Sequence, residues 1–131
     1  IPPNQVYGSC KIGLRHDMLH NTIADVCEIV DIDYNVIGAI YGGEGQGPTR
    51  CDGIYHGIVI ASPDPVAADA VGTATMSFIP KHYGYLRVGQ EIGLGTYEDI
   101  EVVGNSIEEV LKVYQKPATH APGAWGAVWG W

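Results

Sequence analysis

A single carboxylate lies inside an unusually glycine-rich stretch of this chain. Residues 41–53, "YGGEGQGPTRCDG", hold five glycines around Glu44 and follow a short apolar run. A carboxylate in that setting suits a metal cation, a hydrogen-bond donor or an abstracted proton, and Gly43, Gly45 and Gly47 would offer backbone groups to a ligand. We therefore predict Glu44 as a catalytic residue and these three glycines as ligand-binding residues. The alternative is a wide turn that needs positive φ at several positions.

The alternating glycines do not make a dinucleotide-binding loop. Such a loop needs a helix N-terminus directly after the glycines, because the aligned N–H groups at that end bind the phosphates. Here Pro48 and the residues TRCDG come next, and a second strand pattern follows them. This context excludes the Rossmann motif. A Ser/His/Asp hydrolase is not supported either, since the sequence has no GxSxG motif.

Two aspartates accompany the helical segment that follows. In "SPDPVAADAVGTATM", Ser62 or Asp64 can cap a helix expected at about 65–77, with Pro65 in its first turn. We predict Asp64 as a ligand-binding residue, with a plain helix cap as the alternative. Asp69 lies among alanines inside the helix, where Asp is a poor helix former. It is predicted either as a second catalytic carboxylate or as a brace that accepts hydrogen bonds from the glycine loop.

Histidines and cysteines give weaker signals. His16 and His20 are four residues apart, a usable metal-ligand spacing on a helix, but the HExxH context is missing. His20 is predicted as a ligand-binding residue, with metal binding and polar packing as alternatives. The cysteines at positions 10, 27 and 51 form no CxxC pair, so they are expected to be three reduced thiols, or one disulfide and one free thiol. They provide no evident iron–sulfur ligands, and the metal and the cofactor stay unknown.

The composition is that of a globular, acidic protein. The 131 residues suffice for one domain, and 46% of them are hydrophobic while 17% are charged. Fifteen acidic and seven basic residues give a formal charge of −8, which argues against nucleic acid and anionic membranes as partners. No apolar run approaches the roughly 20 residues that span a bilayer, and the N-terminus shows no signal-peptide core. We therefore predict a cytoplasmic protein that binds neither nucleic acid nor membrane.

Apolar periodicity predicts the elements that position these side chains. We expect a first helix at 17–30, begun by Asp17, and then strands at 36–41 and about 55–61 that are buried on both faces. Helices at 65–77 and 80–91 and a strand at 99–104 should follow. A closing helix, capped by Asn105 or Ser106, should run to about 115. This order predicts an α/β fold with a small, mostly parallel sheet of about three or more strands flanked by helices. Residues 1–116 would form this single domain, and 117–131, with three Trp, an irregular Trp/Gly-rich tail.

Four stretches, taken together and in order, resemble the domain of unknown function 362 family. They are "RHDMLHNTIADV", "VIGAIYGGEGQGP", "GIVIASPDPVAADAVGTATM" and "GYLRVGQEIGLGTYEDIEVVG", and they lie within residues 11–104. The likeness is to the C-terminal portion of the family's domain. Members are longer α/β proteins, often linked to ferredoxin-type iron–sulfur modules, so the resemblance implies a redox-associated protein with an iron–sulfur partner module. It also implies a fragment, a split subunit or a shortened relative.

Two functions follow from these observations. The first is a redox-associated α/β protein with a small-molecule ligand or metal site around Glu44, Asp69 and His20. The second is a non-catalytic subunit or assembly domain that completes its core with a second copy or a partner chain. The Trp-rich tail and the absent half of the family's domain favour the second, because an incomplete core tends to acquire a partner. Whether the chain is an enzyme stays open.

Overall fold

The computed structural model describes residues 19–47 and 50–117. Its elements, in chain order, are helix α1 at Leu19–Val30, strand β1 at Asn35–Gln46, strand β2 at Arg50–Ser62, helix α2 at Pro65–Thr75, a 3₁₀ turn at Pro80–His82, helix α3 at Gly84–Glu91 and the short helix α4 at Ile107–Val110. In this part of the chain, no helix is both long and apolar enough to cross a membrane. The predicted cap Asp17 and the predicted tail after residue 117 lie outside the described residues.

The sheet is a two-stranded antiparallel hairpin, so the predicted mostly parallel sheet of three or more strands is wrong. β1 and β2 pair from Asn35 opposite Ser62 to Gln46 opposite Arg50. Parallel strands need a crossover connection of about a dozen residues. Only residues 47–49 separate β1 from β2, which is enough for a hairpin and nothing longer. Both strands therefore continue into the glycine-rich stretch, which is the tip of the hairpin.

The third strand expected at 99–104 is not formed. Asp99 and Gly104, at its two ends, have φ of 54° and 107°, which is left-handed rather than extended backbone. Val103 between them is 89% exposed. The segment is apolar, but no described strand pairs with it, and its backbone is not extended at either end.

The closing helix begins where expected and ends early. Ser106 caps α4, and a reciprocal hydrogen bond from its backbone N–H to the Glu109 carboxylate completes a capping box. The predicted continuation is wrong, because α4 has only four residues. In the non-helical segment 111–117, the N–H of Lys112 donates to the Thr75 carbonyl at 2.8 Å. Tertiary partners at the end of α2 thus replace the hydrogen bonds that a helix would have supplied.

The core lies between α2 and α3. Val66, Ala70 and Leu86 are buried, and several half-buried side chains pack around them: Tyr83, Tyr85, Leu94, Tyr97 and Ile100. A Cβ added at Gly89 of α3 would come within 2.9 Å of Val66 Cγ2, so the glycine permits the two helices to approach closely. Helix α1 packs on α3 from the other side.

Within residues 19–47 and 50–117, only the inner face of the hairpin is covered by other elements. Ile37 and Ile60 lie on the inner face, close to Gly72 of α2. On the outer face Val36 is 66% exposed and Val59 is 61% exposed. Because side chains of a strand alternate between its two faces, the apolar runs that suggested burial on both sides instead supply one packed face and one bare face.

Candidate functional site

Glu44 lies at the glycine-rich tip of the hairpin and holds the segment 111–117. Its carboxylate accepts a hydrogen bond from the backbone N–H of Gln115 at 2.8 Å. The N–H of Gly45 donates to the Gln115 carbonyl, also at 2.8 Å. Both backbone groups of Gln115 are therefore bound by neighbouring residues of β1. This arrangement lets Glu44 fix the position of the segment on the hairpin.

The three glycines of the predicted site differ in backbone conformation and in the space available for a side chain. Gly45 has φ of 78°, in the left-handed region that favours glycine. A Cβ at Gly43 would come within 2.7 Å of the Cys51 sulfur, whereas one at Gly47 would meet no atom within 4 Å. Positive φ is thus confined to Gly45 among the described glycines of 41–47, rather than spread over several positions as the wide-turn alternative expected.

The strand register places a second carboxylate near Glu44. Asp52 is directly opposite it across the hairpin. Like charges in that relation destabilise a sheet. In residues 19–47 and 50–117, no three His, Cys, Asp or Glu side chains come together as ligands for a metal ion. The sequence offered no sign of this pair, because register depends on where the hairpin turns.

A buried His–Tyr contact connects the hairpin to the segment 111–117. His56 Nδ1 lies 3.0 Å from the Tyr114 hydroxyl, and His56 Nε2 lies 2.9 Å from the Val110 carbonyl. A carbonyl only accepts, so Nε2 carries the proton and Nδ1 accepts from Tyr114. Burial, and secondly the charge of Glu44, raise the pKa of Tyr114, which keeps this hydroxyl protonated. The Tyr114 ring lies against Gly42, where a Cβ would overlap the hydroxyl.

Asp64 acts as the cap of α2, the alternative that the sequence allowed. One carboxylate oxygen accepts from the Ala67 N–H at 2.8 Å, and the other accepts from the Thr96 N–H at 2.9 Å. The carboxylate therefore stabilises the first turn of α2 and attaches the loop after α3 to it. Pro65 occupies the first turn, as predicted. Both oxygens of Asp64 are engaged by backbone groups.

Asp69 and His20 both contact Tyr85, at the junction of α1, α2 and α3. The Tyr85 side chain hydrogen-bonds to Asp69 and to Thr73. Its backbone N–H donates to His20 Nδ1 at 3.0 Å, and the two rings stack with their centroids 6.1 Å apart. Burial raises the pKa of Asp69, and the hydrogen bond from Tyr85 partly offsets this. The contacts of Asp69 thus join helices to one another, and none of them is to the glycine loop.

The electrostatics of this junction favour neutral side chains. Burial, and then the charge of Asp69, raise the pKa of the Cys27 thiol. Burial, and then the Arg87 guanidinium, lower the pKa of His20. A thiol whose pKa is raised has little thiolate at neutral pH and is a poor nucleophile. The junction therefore suits packing between helices better than it suits thiol chemistry.

The predicted residues accordingly occupy three places: Glu44 and its glycines at the hairpin tip, Asp64 at the start of α2, and Asp69 with His20 around Tyr85. Their catalytic and ligand-binding roles stay predictions, as does metal binding by His16, which lies outside the described residues. Sequence reasoning missed His56, Tyr85 and Tyr114. None of the three stands in a motif, and their partners are distant along the chain.

The sequence was compared with known proteins. No curated protein and no solved structure matches it. It does match the family described as Domain of unknown function (DUF362), over residues 4–74. That range is just over half of the chain, and it includes α1, the hairpin and nearly all of α2. The chain belongs to the DUF362 family.

Proposed function

We propose that this chain is a non-catalytic assembly domain whose hairpin is covered by another polypeptide. The observation that supports this most directly is the bare outer face of the hairpin. Val36 and Val59 on that face are 66% and 61% exposed, and Tyr41 and Tyr55, which lie beyond a register irregularity between Ala39 and Tyr41, are 72% and 56% exposed. Tyr41 and Tyr55 are paired across the strands, with ring centroids 5.3 Å apart. Together these side chains form an exposed, largely apolar patch on the hairpin, and the Lys112 ammonium lies 5.3 Å from the centroid of the Tyr55 ring.

Such a patch favours association. A two-stranded sheet is marginally stable in water unless further strands or helices cover it, and α2 covers only the inner face. Removing apolar surface from water gains about 25 cal/mol per Å². Contiguous exposed patches larger than a few hundred Å² usually mark an interaction site. A partner surface on the outer face would complete a second layer on the hairpin.

The contacts of Glu44 support the same proposal. Its carboxylate is bound to the Gln115 backbone, so a structural role accounts for this residue. We place the domain in the cytoplasm, where the Cys27 thiol would stay reduced. The redox association that the family resemblance implied has no ligand set among the described residues.

The proposal is tested by the oligomeric state of the purified chain. The outer face is the same on every copy, so the isolated chain should self-associate through it even where the cell supplies a different partner. Light scattering after size-exclusion chromatography, over a dilution series, should give a mass above the monomer. The double variant Val36→Ser with Tyr41→Ser should shift the chain to a monomer of unchanged circular dichroism.

The matched control is Ile29→Ser. Ile29 is 57% exposed, comparable with the outer-face residues, but lies on α1. This variant should self-associate like the natural chain. A wild-type chain that remains a stable monomer throughout the dilution series would overturn the assembly role, and so would equal effects of the control and the double variant.

A further inference from the structure

A groove runs along the edge of the hairpin that β1 does not occupy. Its volume is about 320 Å³. Residues 57–62 of β2 form one wall and residues 100–103 the other, while Ala67, Ala68 and Val71 of α2 contribute to its floor. We call this space the β2 groove. The groove borders the backbone edge of β2, whereas the outer face is formed by side chains that project from the hairpin.

The lining of the β2 groove shows that it follows a strand edge. Six consecutive residues of β2, 57–62, line it. Neighbouring side chains of a strand point to opposite faces, so a pocket on one face would be lined by every second residue. Continuous lining places the groove along the backbone itself. The opposite wall, 100–103, is likewise continuous.

Backbone groups on this edge are available for pairing. In the described residues, the backbone hydrogen bonds of 57–61 are those of the ladder with β1. No backbone hydrogen bond of 100–103 is found there either. A strand with one paired and one open edge presents a row of N–H and C=O groups that another extended chain can bind.

A second, open depression adjoins the β2 groove. It has a volume of about 210 Å³, lies between α2 and the same wall, and shares four apolar lining residues with the groove: Val71, Ile100, Val102 and Ile107. An inserted strand with an apolar residue at every second position would place side chains into this space.

The rim of the groove is acidic. Glu101 lines it, and four further exposed acidic residues precede or follow that wall: Glu98, Asp99, Glu108 and Glu109. Lys112, the nearest following basic residue in the chain, hydrogen-bonds to the Tyr55 carbonyl. With a net charge of −8 for the whole chain, basic residues are favoured on whatever binds here.

We propose that the β2 groove binds an extended strand of a partner polypeptide, with apolar residues at alternate positions and basic residues at its ends. The strand hydrogen-bonds to the open edge of β2 and covers the floor formed by α2. This goes beyond the proposed function, because the strand binds the backbone edge of β2 rather than the outer face of the hairpin, although Val59 borders both.

The probe is the peptide acetyl-KKVTVTVKK-amide, labelled for fluorescence anisotropy and titrated with the full chain. Its control is the same peptide with alternate amides N-methylated, which cannot donate on one edge. We expect the control to bind at least about tenfold more weakly, since several backbone hydrogen bonds are lost. Hydrogen exchange should slow at residues 57–62 only when the unmodified peptide is bound.

Two variants of the protein locate the binding. Val71→Phe fills the groove and should abolish peptide binding while urea unfolding confirms that the chain is folded. Glu101→Lys changes an exposed residue and leaves the fold intact. It should weaken the basic peptide several-fold and strengthen EEVTVTVEE by a similar factor. Equal binding of the N-methylated peptide, or no effect of either variant, would overturn the strand proposal.

If something other than a partner strand occupies the β2 groove, hydrogen exchange or dye binding will show it, and each such result overturns the proposal. Slow exchange, in the dilute free chain, of those amides of 57–62 that point away from β1 means that the edge is already closed. The same protection only in concentrated free chain means that a second copy is the occupant. Binding of anilinonaphthalene sulfonate that Val71→Phe removes, without peptide binding, means a small apolar ligand. Self-association through the outer face is identified by its loss in the double variant of Val36 and Tyr41, so the two proposals fail separately.

Discussion

Replacing Tyr114 by Phe deletes one oxygen atom from the contact between the segment 111–117 and the hairpin. Tyr114 and His56 are 4% and 7% exposed, and the deleted hydroxyl lies 3.0 Å from His56 Nδ1. Because Nε2 donates to the Val110 carbonyl, Nδ1 is an acceptor whose donor would be lost. The ring itself is retained, so packing against Gly42 is preserved.

The expected loss of stability follows from this geometry. A buried polar atom left without its partner costs about 1–3 kcal/mol. For a chain of this size that corresponds to on the order of 3–5 °C in Tm for each kcal/mol. The effect should be local as well, because Tyr114 holds the segment in which Gln115 is bound by Glu44 and Gly45.

Urea unfolding followed by circular dichroism measures the free energy of unfolding, and amide exchange at Gln115 reports the local effect. The matched control is Tyr34→Phe, since Tyr34 is 60% exposed and its variant should lie within about 0.5 kcal/mol of wild type. If Tyr114→Phe is as stable as this control, or if Gln115 exchange is unchanged, the His56–Tyr114 contact does not hold the segment.

Three further predictions test the described contacts. Gly45→Ala should lower the free energy of unfolding in urea by about 1–2 kcal/mol, because φ is 78° there, whereas Gly47→Ala should be near neutral. Asp64→Ala should cost about 1–2 kcal/mol in thermal unfolding, and Asp64→Asn clearly less. Burial raises the pKa of Asp69 in the native state above its ordinary value of 3.8, which the unfolded chain keeps. The native state therefore holds the proton more tightly, and it loses stability as pH rises from that ordinary value through the raised pKa. The stabilising effect of Asp69→Asn should therefore grow from pH 4 to pH 7; a constant or shrinking difference in urea midpoints would contradict the burial of that carboxylate.

Features encoded within a few residues were predictable. The cap and first turn of α2 at Asp64 and Pro65 were expected, and so was a cap of α4 at Asn105 or Ser106, of which the structure uses Ser106. Gly93, with φ of 83°, follows the C-cap Ile92 of α3, a position at which glycine commonly ends a helix. In each case the interacting groups are near neighbours along the chain, so short sequence patterns carry the information.

The direction of the sheet was not predictable in the same way. Apolar runs at 36–41 and 55–61 were recognised as strands, but both strands extend further, to Gln46 and from Arg50. That extension shortens the connection to 47–49 and makes the pair antiparallel. Whether glycine-rich residues form a loop or the end of a hairpin is decided by pairing across the two strands, which is not visible in either strand alone.

By itself, the sequence determined the family, the existence of the helices and of two strands, and the helix caps, because these depend on local composition and spacing. Tertiary structure decided which groups meet. It brought Gln115 to Glu44, Tyr114 to His56 and Tyr85 to Asp69. Each of these contacts is a hydrogen bond between groups that are far apart in the chain. Its strength depends on how the elements pack, which no single stretch of sequence specifies.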